Sequence, residues 1–458
     1  LQAVRNIMSS FSEEKYNELI QSIFLRFPSV QNVSFGEAYK PGLERMEEFR
    51  ELLGNPDGRY RTVHIAGTNG KGSTASMLAS ALAACGLKVG IYTSPHILDF
   101  RERMRIVDGR KSSADGPSLV TEEYVYDFLT RYNDDLDRLQ LSFFEITTGL
   151  AFRWFADMEV DWAVIETGLG GRLDSTNVIT PELSVITSIG LDHCDLLGNT
   201  LEEIAAEKAG IIKKGVPVVV GGHPAEEVAA VFRKKAGEMQ SRIVFADVVQ
   251  PSLWKDHSSF IMEGMDLRGG YQEMNLRTVL ASLDVLGQFS PELRITGMET
   301  AEAIMHTAVR TGFHGRWERL STCPDVICDI GHNAAALANN FAQLNGYLDN
   351  DTYSSLIIVY GVMADKNLED ILPLFPDRAT WIFTTPHTRR AMQASEIKAR
   401  YDEWCSSNGR SSAMSYVCDD VRSAVALAIR TAGQYGGRPL VYVGGSTFVV
   451  SEAMPCFR

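Results

Sequence analysis

His64-Ile65-Ala66-Gly67-Thr68-Asn69-Gly70-Lys71-Gly72-Ser73-Thr74 reads as the end of an apolar strand, a glycine-rich loop and the start of a helix. Glycines let a backbone curl so that N–H groups point at phosphate oxygens, a lysine adds a point charge, and a following hydroxyl can reach Mg²⁺. Gly67, Thr68, Asn69, Gly70, Lys71, Gly72 and Ser73 therefore form a candidate phosphate cradle. The loop departs from the regular Walker pattern, because its first glycine would fall at Ile65 and Gly72 separates the lysine from Ser73. On either side, short apolar runs alternate with helical patterns, as expected of a parallel sheet covered on both faces. Strands are expected at 62–66, 89–93, 162–166, 183–188 and 217–220, and helices at 12–27, 72–85, 122–139, 143–156 and 201–213. Residues 107–118 read as an exposed polar loop.

A second α/β series follows, with strands expected at 325–330, 356–360, 381–385, 415–418 and 440–443 and helices at 334–348 and 421–432. The Gly-, Ser- and Pro-bearing stretch 286–300 places the expected boundary at its end. The fold class is thus α/β: an N-terminal P-loop domain, 1–299, with a mainly parallel sheet flanked by helices, and a smaller Rossmann-like C-terminal domain, 300–458.

The 458 residues are 45% apolar and 22% charged, which suits a soluble protein with sizeable cores. A net charge of −14 argues against nucleic acid as the main partner. Residues 300–458 hold 14 Lys and Arg against 16 Asp and Glu, so the acidity lies before them. Seven scattered cysteines without a C-x-x-C pair suggest neither a disulfide framework nor a thiolate zinc site, and a reducing cytoplasm fits them. No run of about 18 apolar residues is present to span a membrane. The chain opens at Leu1 rather than Met, which leaves its natural start open.

Ligands of such sheets sit at the carboxyl ends of the strands. Glu166 ends an apolar strand ahead of Thr167-Gly168-Leu169-Gly170-Gly171-Arg172-Leu173-Asp174, so it would face the phosphates and could hold a metal. His193 follows the next strand at the same edge. Lys208, taken alone, reads as a solvated helical lysine paired with a glutamate. In the second half, Arg316 could neutralise a transferring phosphoryl group, and Asp329 could accept a hydrogen bond from a ribose hydroxyl.

Together these motifs resemble the folylpolyglutamate synthase and dihydrofolate synthase family, a branch of the Mur ligase superfamily, in its bacterial bifunctional type. The resemblance runs from about Gly42 to Glu452. Its most specific parts are Ala66 to Ser73, Tyr92-Thr93-Ser94-Pro95-His96 with Phe100-Arg101-Glu102-Arg103, Glu166 to Asn177, and Leu191 to His193 with Glu207-Lys208-Ala209-Gly210. The resemblance implies an ATP phosphate loop at Gly70 to Ser73 and magnesium ligands at Ser94, Glu166 and His193. It also implies a carbamate on Lys208, which reverses the solvated-lysine reading by turning a cation into an anion suited to a second Mg²⁺. K⁺ is a further candidate cation. Asn275, Arg316, Asp329 and His332 are the implied nucleotide contacts. Ser142, Phe144, Asp174 and Ser175 fall where the bifunctional enzymes bind the pterin of dihydropteroate, with Gly42 and Leu43 helping to close that pocket. The chain departs from the family at Tyr271, Ala334, Ser175 and Ser142, where His, Pro, Ala and Thr are usual.

The implied reaction is ATP-dependent addition of L-glutamate to dihydropteroate, or to a reduced folate, through an acyl phosphate. Lys71, Lys208, His193 and Arg316 carry the expected catalytic roles. Domain closure is expected to complete the site. The expected enzyme is a cytoplasmic monomer acting on small molecules, without nucleic-acid or membrane partners. A Mur-type ligase acting on a UDP-linked precursor and a P-loop ATPase switch are the alternatives.

Overall fold

The computed structural model describes residues 11–27, 40–112, 115–290, 293, 295 and 297–458, except for the side chain of Asp256. They form two compact units, Leu1–Asp266 with Glu273–Phe313, and Leu267–Gln272 with His314–Arg458. The expected boundary at 299/300 falls inside the first unit. Its physical reason is that the helices Gly297–Met305 and Thr307–Thr311 lie against the buried helix Lys71–Ala84, where Ser80 Oγ donates to Ala303 O (2.6 Å) and accepts from Arg310 Nε (2.9 Å).

The first unit is built on an eight-stranded sheet of β1 (Arg61–Ala66), β2 (Lys88–Tyr92), β3 (Met104–Asp108), β4 (Ser118–Leu119), β5 (Trp162–Glu166), β6 (Leu183–Ile186), β7 (Val218–Val220) and β8 (Ile243–Phe245). Their order is β4-β3-β2-β5-β1-β6-β7-β8. From β2 to β8 neighbouring strands are parallel, while β3 and β4 add antiparallel pairs at one edge. The polar stretch 107–118 is thus not all loop, because its ends belong to β3 and β4.

The strands β5, β6 and β7 are buried along their whole length and mostly apolar, as both faces are covered. One face carries two clusters, one that includes Phe49, Phe128, Phe152 and Phe155 and one that includes Ile211, Val228 and Phe232, and the other is covered by the helix Lys71–Ala84. The helix Lys71–Ala84 is rich in Ala and Ser, whose small side chains let it lie buried from Gly72 to Ala83.

The second unit carries the strands β9 (Glu318–Thr322), β10 (Asp325–Asp329), β11 (Ser355–Tyr360), β12 (Ala379–Thr384), β13 (Ser415–Cys418) and β14 (Pro439–Gly444). The order is β13-β12-β11-β14-β10-β9, all parallel except β9. Its core stacks Phe375 on Trp381 at 4.0 Å between ring centres, with Phe341, Tyr360 and Tyr442 around them.

Candidate active site

Register brings the pieces of the first unit together. In β1 and β5, Ile65 pairs with Glu166, in β2 and β5 Tyr92 pairs with Ile165, and in β1 and β6 Ala66 pairs with Ile186. Because these strands run parallel, Ser94, the Gly67 loop, Glu166 and the segment after Ile186 all leave the same sheet edge.

The loop is held from β6. Thr68 N donates to Ser188 O (2.7 Å), while the Thr187 and Ser188 hydroxyls donate to Asn69 O at 2.7 and 3.1 Å. Gly67 (φ 151°) and Gly70 (φ 90°) adopt backbones that L side chains rarely take, and a Cβ on either would overlap Thr187 or Asn275. Gly70 is also the N-cap of Lys71–Ala84, supplying no side chain to cap it, and the first turn carries no acid. A helix N-terminus without either is electrostatically suited to an anion. Asn275 therefore borders the phosphate loop. Lys71 Nζ folds back to donate to Gly67 O (3.1 Å) and Thr68 O (3.2 Å).

Glu166 is 3% exposed, and its Oε2 accepts from Ser94 N at 3.2 Å. A Cβ at Gly72 would lie 3.4 Å from that oxygen, so the carboxylate stands beside the first turn of the phosphate-loop helix. Two buried guanidiniums share this region. Burial lowers the pKa of Arg103, and it pushes Arg105 down to about 10, with Glu102 and Glu166 acting in the opposite direction on both. Glu102 also gathers the N–H groups of Ile97, Leu98 and Asp99 at 2.7–3.0 Å, which shapes the turn that follows Ser94. Glu102 and Arg103 stand in the sequence motif without a role and Arg105 lies outside it, because only the fold shows that the two arginines are buried.

Lys208 lies in the last turn of Leu201–Ala209, a helix four residues shorter than expected because the chain turns at Gly210 against Arg172. The side chain is not solvated: it is 4% exposed and donates to Gly67 O at 2.9 Å. Burial first, and Lys71 second, lower its pKa to about 7. His193 has a left-handed backbone (φ 52°), and its Nε2 stands 3.9 Å from Asp192 Oδ2. Among the described residues, no three His, Cys, Asp or Glu side chains come together as a metal cage. Mg²⁺ commonly uses one or two carboxylates together with substrate phosphates and water, and Glu166 beside the phosphate loop fits that donor set.

The expected acceptor residues are tied into local structure. Ser142 caps Phe143–Asp157, accepting from Glu145 N while Glu145 Oε2 accepts from Ser142 N (2.6 Å). Arg45 Nε donates to the same Glu145 at 3.2 Å, joining the Gly42–Leu43 segment to that helix. The Phe144 ring lies over Gly168 and 5.8 Å from the centre of Tyr92. Asp174 precedes Ser175 and is buried, which raises its pKa, and it accepts from Leu169 N, Thr176 N and Thr176 Oγ1.

In the second unit, Asp329 accepts four hydrogen bonds, from Tyr271 Oη (2.6 Å), Trp317 N (3.0 Å), Gly331 N (2.7 Å) and Asn340 Nδ2 (2.8 Å). It holds together the turn that carries Arg316 and the one that carries His332. Arg316 Nη1 donates to Gly315 O (3.3 Å), and His332 Nδ1 stands 3.1 Å from Ile330 O.

Residues 315–446 match the family model of the Mur ligase glutamate ligase domain. The dihydrofolate synthase/folylpolyglutamate synthase of Bacillus subtilis is 35% identical over 73% of this chain and 78% of its own length. The structure of Mycobacterium tuberculosis folylpolyglutamate synthase complexed with ADP is similar at a TM-score of 0.76, with 26% identity, covering 96% of this chain and 98% of that one. Escherichia coli FolC in complex with DHPP and ADP gives 0.75 at 25% identity, covering 96% and 97%. The fold and the phosphate-binding edge define a Mur-type ligase architecture. Within it, the chain belongs to the folylpolyglutamate synthase/dihydrofolate synthase family of ATP-dependent ligases.

Proposed function

We propose that this chain uses ATP to join the α-amine of L-glutamate to the carboxylate of dihydropteroate or of a reduced folate that already carries glutamate. The observation that carries this reading is the convergence, on one sheet edge, of an anion-binding helix N-terminus with Lys71, the buried Glu166 and the buried Lys208. Relatives named for each activity support it: the Lacticaseibacillus casei protein is a folylpolyglutamate synthase and the Saccharomyces cerevisiae protein a dihydrofolate synthetase.

A carboxylate in water resists amines and must be activated. Its oxygen attacks the γ-phosphorus of ATP, ADP departs, and an acyl phosphate results; the glutamate amine then attacks the carbonyl carbon and phosphate leaves with one carboxylate oxygen. No protein nucleophile is required. The loop N–H groups and Lys71 hold phosphate oxygens on which negative charge develops. Bound Mg²⁺ would neutralise more of that charge, with Glu166, Ser94 and His193 as its proposed holders. Lys208 has the chemistry for a carbamate: CO₂ adds only to a neutral amine, and a pKa near 7 leaves much of this amine neutral at physiological pH.

Asn275, Arg316, Asp329 and His332 are the proposed nucleotide contacts, with Asp329 acting as the brace of its two turns. Gly42, Leu43, Ser142, Phe144, Asp174 and Ser175 are proposed for the acceptor. The proposal includes a cytoplasmic monomer, and seven cysteines without a disulfide fit a reducing compartment. The test is ATP consumption with dihydropteroate or tetrahydrofolate, each with and without glutamate. Strict dependence on both acceptor and glutamate is expected. A steady ATPase rate indifferent to both would favour a nucleotide switch instead.

A further inference from the structure

We infer that His64 is a positioning residue for the acceptor side of the site, fixing Asp174 through Thr176. It stands in β1, three residues before Gly67, fully buried between Val63 and Ile65 in an otherwise apolar stretch. Its Nε2 lies 2.8 Å from Thr176 Oγ1. Thr176 Oγ1 donates to Asp174 Oδ1 (2.5 Å), whose other oxygen accepts from Leu169 N (2.8 Å). A hydroxyl has one proton. Spent on Asp174, it leaves an oxygen lone pair facing His64, so the imidazole donates from Nε2 and Nδ1 is the bare nitrogen. Nδ1 has no hydrogen-bond partner among the described residues, as that tautomer requires least of it. Burial, then Lys213, lowers the His64 pKa to about 3, in keeping with a neutral ring.

The chain of bonds therefore runs from the strand that carries the phosphate loop to the turn at Leu169–Ser175. That turn is braced from its other side, where Asn177 Nδ2 donates to Arg172 O (3.0 Å) and Gly210 O (3.1 Å) and Lys213 Nζ donates to Asn177 O (2.7 Å). An apolar residue at 64 would fill the strand equally well but would leave the Thr176 hydroxyl without its donor. The inference rests on the proposed acceptor role of Asp174.

The test compares His64→Leu with His64→Gln, whose amide nitrogen can stand near Nε2. His64→Leu is expected to raise KM for dihydropteroate and tetrahydrofolate about tenfold, with KM for ATP within about twofold and kcat within about threefold. His64→Gln should restore most of the acceptor KM. Thr176→Val should reproduce the acceptor effect, and combining it with His64→Leu should add little, since both break one chain. An unchanged acceptor KM, an equal rise in KM for ATP, or His64→Gln behaving as His64→Leu would overturn the inference. Should the unaltered chain turn over neither acceptor, the functional reading fails by itself. The relay is then judged by urea unfolding of the two single variants and the double: additive losses refute it and sub-additive losses support it.

Discussion

A lysine buried beside a second lysine holds its proton weakly, because neither water nor a counter-charge compensates it fully. Lys208 is in that position, and its removal should lower ligation at least about a hundredfold if a carbamate forms there. A short carboxylic acid added to Lys208→Ala should recover part of the rate; full activity without it would exclude the carbamate. His64 gives a different signature. Its pKa is about 3 in the folded chain against 6.5 unfolded, so between those values the unfolded state binds the extra proton. Its contribution is complete above pH 6.5 and is lost as pH falls toward 3, by up to about 1.4 kcal/mol per unit. The unfolding free energy of His64→Gln from urea melts should fall less steeply than that of the unaltered chain between pH 6.5 and 5, by about 2 kcal/mol at most; parallel slopes would contradict this. At this scale the position of Lys71 and Glu166 on the sheet edge was legible, because the strand, loop and helix spacing fixes it. Taken alone, Lys208 misled, since its burial against Gly67 is a contact 141 residues distant in sequence, and the sequence was silent on the backbone donors that Ser142, Asp174 and Asp329 engage.

At the scale of elements, the phosphate loop depends on close approach to β6. Gly67→Ala would force a Cβ onto the Thr187 hydroxyl at a φ of 151°, so nucleotide affinity should fall at least about tenfold and stability by about 1–3 kcal/mol. Calorimetric titration with ADP and a urea melt would measure both. In the second unit, Tyr271→Phe removes a buried bond to the Asp329 carboxylate and should cost about 1.5–3 kcal/mol; a melt within about 0.5 kcal/mol of the parent would show that the brace lies elsewhere. The buried parallel strands were legible because their two faces demand continuous apolar runs. The strands β3, β4, β9 and β8 were not: β3 carries the buried charge of Arg105 in its run, while β4, β9 and β8 are partly exposed and leave little apolar pattern.

For the whole molecule, the charge of −14 finds a use without a polyanionic partner. Acid at Glu166 is proposed to attract a cation, while helix N–H groups and Lys71 supply the positive field for phosphate. The division into two α/β units was legible from the repeated strand–helix alternation. Its position was not, because the helices of 297–311 pack on the first unit although a turn-rich stretch precedes them. The central claim is an acyl phosphate made at this edge, and it has a direct test. With the acceptor carboxylate labelled with oxygen-18, ligation should release phosphate carrying one labelled oxygen per product, and Lys71→Ala should abolish that release. Unlabelled phosphate from productive turnover, or full labelled turnover in Lys71→Ala, would contradict the account.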